Sequence, residues 1–87
     1  MNKMAQQVSE VDIVVNSLNE IQEDAAVPRN VRMQMQNIIA TLKAGIELPI
    51  KINKALNELD EIANDINLQS YTRQQIWNVM SNLEKLQ

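Results

Sequence analysis

The 87-residue chain reads as two copies of one plan. Shifted by 41 positions, its halves align without a gap. Leu18, Glu20, Ile21, Asp24, Arg32, Gln34, Asn37 and Leu42 fall on Leu59, Glu61, Ile62, Asp65, Arg73, Gln75, Asn78 and Leu83. Apolar character also matches where identity does not: Val11 with Ile52, Val15 with Leu56, Val27 with Leu68, Ile38 with Val79. A period near 40 residues with two amphipathic segments per period is the spacing of helical hairpins. Two hairpins are too few for a solenoid, but they can close on each other as a four-helix bundle. Any two amphipathic hairpins share apolar spacing. The polar identities are what set this pair apart.

Apolar spacing places the four helices. Met4, Val8, Val11, Val15, Leu18 and Ile21, widened by Val14, recur at steps of three and four and predict a helix over 4–22. Ser9 and Asp12 match a capping box but fit better as residues riding on that longer helix. Val31, Met35, Ile38 and Leu42, with Ile39 beside them, predict a helix over 28–43 opened by Pro28 at its first position. Gly45 is expected to stop it in a left-handed conformation. Ile52, Leu56, Leu59 and Ile62, with Ala55 and Ala63, predict a helix over 49–64. Ile76, Val79, Leu83 and Leu86 predict a last helix that begins between 68 and 71 and runs to 85, with Met80 and Trp77 to one side. Short connections make successive helices antiparallel. The expected fold is therefore all-α: an up-down-up-down four-helix bundle of two similar hairpins in a single domain over 1–87. Its expected core includes Val15, Leu18, Val31, Ile38, Leu56, Leu59, Val79 and Leu83.

Composition excludes more chemistry than it suggests. The chain has no Cys and no His, so disulfides, thiolate chemistry, the commonest general base and the usual zinc ligands are all missing. Serine and threonine have no histidine base and no glycine-rich phosphate loop beside them. An enzyme, a metal and a cofactor are accordingly not expected. The net charge is −3, and the eight Lys and Arg are scattered rather than striped. Nucleic acid is thus not the favoured partner, although an accessory subunit of a nucleic-acid complex would follow if Arg29, Arg32, Lys43 and Arg73 converged. No apolar run approaches a membrane span, and residues 1–10 lack the apolar core of a signal peptide, so the expectation is a soluble cytoplasmic protein without membrane contact.

The polar positions supply candidates for a surface. Glu20/Asp24 and Glu61/Asp65 pair carboxylates one turn apart. A divalent ion could sit between such groups, but a role in organising the turns is simpler. Gln34 and Asn37, with Gln75 and Asn78, form matching uncharged strips on the second and fourth helices. Arg73 and Trp77 are four apart, a spacing that lets a guanidinium lie over an indole. Both types are frequent binding hot spots, and a Trp closing the flank of the bundle is the plainer reading. Met33 lies well round from its helix's apolar stripe. Met33, Arg73, Trp77, Gln34, Asn37, Gln75 and Asn78 are therefore the candidate interaction surface, for an unidentified protein partner or a second copy of the chain. Met33, Ile46 and Trp77 are the candidates for a homodimer.

The runs LDEIANDINL (59–68), YTRQQIWNVMSNLE (71–84) and VPRNVR (27–32) carry a more specific signal. Through them the chain resembles uncharacterised archaeal protein family zero-one-four-seven, over nearly its whole length. The resemblance implies a four-helix bundle of bromodomain-like topology, without acetyl-lysine binding, in an archaeal cytoplasm. It implies no activity and no functional residues. The chain departs from the pattern at Gln69, where the family often has proline, and in residues 44–49, which are less acidic. By analogy with paired helical repeats, at least one of Arg32 and Arg73 is expected to pair with Asp24, Asp65, Glu20 or Glu61.

Overall fold

A computed structural model describes residues 3–87, with side chains described from residue 10 onward. The Met4 and Val8 positions of the first stripe and the Ser9 end of the capping box lie outside the described side chains. Four helices follow in order: α1 (Lys3–Gln22), α2 (Arg29–Lys43), α3 (Leu48–Ala63) and α4 (Ser70–Glu84). No strand occurs among the described residues. Each helix packs on two others and stays clear of the one diagonally opposite: α1 lies between α2 and α4, and α3 between α2 and α4. The result is an antiparallel four-sided bundle of 41 × 19 × 18 Å.

The apolar spacing accounts for the interior. Leu18, Val31, Met35, Ile38, Ile52, Leu59, Ile76 and Leu83 are buried in one continuous core, together with Val15 and Val79. Among the residues expected inside, Leu56 departs: it is only partly buried, packed against the core as Met80 and Leu48 are. Leu68 and Val27 reach the core from the connections, and Leu86 does so beyond the end of α4. Among the described residues the buried polar one is Thr72, at the position where the first hairpin has Val31.

Three helix ends differ from expectation in detail. Pro28 is the N-cap of α2 and not its first helical residue; its carbonyl accepts from the Arg32 N–H at 3.0 Å. Its fixed φ of −59° sits with an extended ψ of 149°, which suits a cap equally well. Helix α3 starts one residue earlier than Pro49, with Glu47 as N-cap. Gly45 does not take a left-handed conformation: none of the described residues has positive φ, and α2 ends because Ala44 turns extended at φ −68°, ψ 155°. Its N–H still reaches the Thr41 carbonyl at 3.2 Å. A straightening chain ends a helix without glycine's special freedom.

Two outcomes follow. Leu59→Ala removes a fully buried side chain at the centre of α3 and should cost about 2–5 kcal/mol in urea unfolding. Gly45→Ala meets open space and an ordinary backbone, so it should leave stability unchanged or raise it by about 0.4–1 kcal/mol. A loss of more than that on Gly45→Ala would show that the connection needs glycine.

Candidate interaction surfaces

The two hairpin turns, residues 23–28 and 64–69, are built from the same hydrogen bonds. Asp24 and Asp65 each accept through a side-chain oxygen from the N–H two residues on, of Ala26 and Asn67, both at 2.9 Å. Their carbonyls accept from Val27 and Leu68 at 3.0 and 3.1 Å, which places those apolar side chains over the core. Aspartate suits this position because its short carboxylate reaches its own backbone two residues ahead.

Across each turn reaches an arginine. Arg32 Nε donates to the Gln22 carbonyl at 2.9 Å, and its Nη2 donates to the carbonyls of Asp24 and Val27 at 3.3 Å each. Arg73 repeats this on Ala63 at 2.8 Å, Asp65 at 3.0 Å and Leu68 at 3.1 Å. Gln22 and Ala63 are the last residues of α1 and α3, whose terminal carbonyls have no partner within their own helix. The expected pairing of these arginines with acidic side chains is therefore corrected: each guanidinium binds three backbone carbonyls instead. The Asp carboxylates are already engaged within their own turns, while the carbonyls at a helix C-terminus are the nearest acceptors and favour a cation.

This placement changes the candidate surface. Arg73 is half-buried and committed to the turn, so it is structural and not a contact for a partner. Arg32 is committed likewise, while Arg29 is exposed in the first turn of α2 and Lys43 ends that helix roughly 20 Å away at 1.5 Å per residue. The four cations do not form one basic patch. Glu20/Asp24 and Glu61/Asp65 form no metal-binding group among the described residues.

The remaining candidates separate onto different sides. Gln34 and Asn37 line a groove between α2 and α3 with Glu58 and Glu61. Gln75 and Asn78 line another between α4 and α1 with Ser17, Glu20 and Asn82. Since α2–α3 and α4–α1 are opposite sides of the four-sided bundle, the two strips face away from each other. Met33 points outward from α2 and is 58% exposed; Trp77 is 50% exposed on the flank of α4 that Arg73 and Met80 share.

That flank faces α3, because Arg73 on it reaches the Ala63 carbonyl at the end of α3. Leu56 and Met80 are only partly buried there, whereas their equivalents in the first hairpin, Val15 and Ile39, are buried. Gln36 stands where the second hairpin has Trp77. The α3–α4 seam is thus more apolar and more open than the α1–α2 seam. Around its centre lie Asn53, Asn57, Ser81 and Gln74, and charge returns towards the ends with Asp60 and Glu84. Sequence reasoning set Met80 and Trp77 together to one side of α4 but counted Leu56 as core. The signal available was the contrast of Trp77 with Gln36 at the 41-residue offset.

The profile of the Uncharacterised protein family (UPF0147) matches residues 1–86. A UPF0147 protein of Methanocaldococcus jannaschii is 43% identical over 70 residues, covering 79% of this chain and 75% of that one. One from Archaeoglobus fulgidus is 36% identical over 73 residues, covering 84% of each. Among solved structures, a crystal structure of a UPF0147 protein from Thermoplasma acidophilum superposes with a TM-score of 0.86 at 32% identity, over 91% of this chain and 94% of the other.

Arg73→Gln removes a charged donor from three turn carbonyls and should destabilise the bundle by about 1.5–3 kcal/mol. Arg73→Lys should recover little, because an ammonium cannot reproduce the planar fork. Urea unfolding checks both, and full rescue by lysine would reduce the contact to simple charge.

Proposed function

The chain belongs to the uncharacterised protein family UPF0147, and from that premise we propose that it is a non-enzymatic protein-interaction module of the cytoplasm whose working surface is the α3–α4 seam around Trp77. The observation that carries this reading is the break in likeness between the hairpins. Core and turns correspond, yet one seam is closed by Val15 and Ile39 and the other leaves Trp77 exposed and Leu56 and Met80 only partly buried.

Such a surface has the composition of a protein interface. Interface centres are enriched in aromatic residues and Met and depleted in charge, with polar groups at the rim. The lateral face of the bundle, 41 Å by about 18 Å, is close to the roughly 800 Å² that each partner contributes in a standard interface. Met80 adds an adaptable side chain beside the rigid indole. The absence of His and Cys from the sequence supports a binding role over catalysis. Among the described residues no helix is long and apolar enough to cross a membrane.

The test compares wild type with Trp77→Ala. Native co-purification followed by mass spectrometry identifies bound proteins, and binding of the purified partner is then titrated. A hot-spot tryptophan is worth about 2 kcal/mol or more, so affinity should fall about thirtyfold or more while the unfolding midpoint barely moves. Met33→Ala, on another side, should bind as wild type. Sedimentation at high micromolar concentration shows whether the partner is a second copy. Equal binding by Trp77→Ala, or its loss in Met33→Ala, would reject the seam as the working surface.

A further inference from the structure

Glu20 and Glu61, Gln34 and Gln75, and Asn37 and Asn78 match across the two hairpins, and packing does not account for them. Five of the six are exposed and Gln75 is half-buried. The side chains of Glu20, Glu61, Gln34 and Asn37 make no hydrogen bond to any described residue, whereas the Asp and Arg matches are explained by the turns. The structure gathers these six into two equivalent grooves. Gln34, Asn37 and Glu61 line a trough of about 300 Å³ between α2 and α3. Gln75, Asn78 and Glu20 line one of about 170 Å³ between α4 and α1.

We infer that the two grooves are equivalent binding sites, each taking an arginine side chain from a basic protein segment. The carboxylate in each is not neutralised by a cation among the described residues, and the carboxamides beside it offer further acceptor oxygens, that of Asn78 already accepting from Gln74 Nε2 at 3.3 Å. In the α4–α1 groove the Gln75 Oε1 is buried without a donor, an unmet acceptor that the carboxamide must turn outward to offer to an incoming N–H. A guanidinium supplies five donors in a plane, which suits one carboxylate flanked by amide oxygens better than an ammonium does. Ile21 and Val79 floor that groove and can cover the aliphatic stem of the arginine. Both troughs are open along the helix seam. A free small cation would stay largely hydrated there, while a peptide can follow the seam and add contacts. Glu58 adds a second carboxylate to the α2–α3 groove where the other has Ser17, so that site should bind about fivefold more tightly at low salt.

This inference is independent of the Trp77 surface, which lies on a third side of the bundle. The test is an NMR titration of the ¹⁵N-labelled protein with a blocked Gly-Ser peptide carrying two arginines. Parallel arms use the same peptide with lysines, the same peptide with glutamates, and spermidine. The side-chain amides of Gln34, Asn37, Gln75 and Asn78 should shift saturably with the arginine peptide, weakening several-fold as salt rises from about 20 to about 200 mM. Glu61→Gln should abolish the shifts of Gln34 and Asn37 only, and Glu20→Gln those of Gln75 and Asn78 only. Trp77→Ala should leave both intact. Absence of saturable shifts, or shifts indifferent to both glutamate variants, would overturn the grooves as sites. An equal response to spermidine would overturn the peptide as ligand, and an equal response to the lysine peptide would overturn the guanidinium.

Discussion

A guanidinium set against backbone carbonyls is the contact on which both hairpins depend. At the C-termini of α1 and α3 the chain must reverse within six residues, leaving carbonyls without helical partners close to a buried apolar side chain. Arg32 and Arg73 reach back from the first turn of the following helix and bind the last helical carbonyl together with two from the turn. A cation is electrostatically favoured at a helix C-terminus. The same contact ties the start of one helix to the end of the previous one, which sets how the pair packs. Asp24 and Asp65 complete the turn from within, and Val27 and Leu68 seal it against the core. Removing the arginine leaves several turn carbonyls to find other donors.

With both turns held alike, the apolar stripes have one way to close. Each helix buries one face between two neighbours, and Leu, Ile, Val, Met and Ala fill the interior almost without aromatics. The hairpins then differ where folding leaves room. Thr72 replaces Val31 inside without opening the core, while Trp77, Met80 and Leu56 leave one seam more exposed than its counterpart. Function in this family is therefore best sought where the two halves disagree on apolar character, and where they agree on exposed polar residues that folding does not require.

Much of the fold was legible in the sequence, because a stripe such as Val31, Met35, Ile38 and Leu42 has a single physical use. The helix ends were harder. Proline's φ serves both N-cap and first helical position, so Pro28 could not be placed to the residue. Gly45 drew a left-handed assignment from its type, although an extended Ala44 had already ended the helix. The arginine contacts were invisible for a different reason: backbone carbonyls have no letter in the sequence, whereas the carboxylates of Asp24, Asp65, Glu20 and Glu61 nearby do. The candidate surface was legible residue by residue but not as a surface. Spacing tells which face of its own helix Asn37 or Trp77 occupies, but not which neighbouring helix lies alongside.

The arginine contact is most directly tested by NMR of the arginine Nε–H groups, with exposed Arg29 as the internal reference. Arg32 and Arg73 should give slowly exchanging, dispersed Nε–H signals, with scalar couplings across the hydrogen bond to the carbonyl carbons of Gln22 and Ala63. Rapid exchange and shifts indistinguishable from those of Arg29, with no such coupling at either site, would contradict the account and leave the shared geometry of the hairpins without its cause.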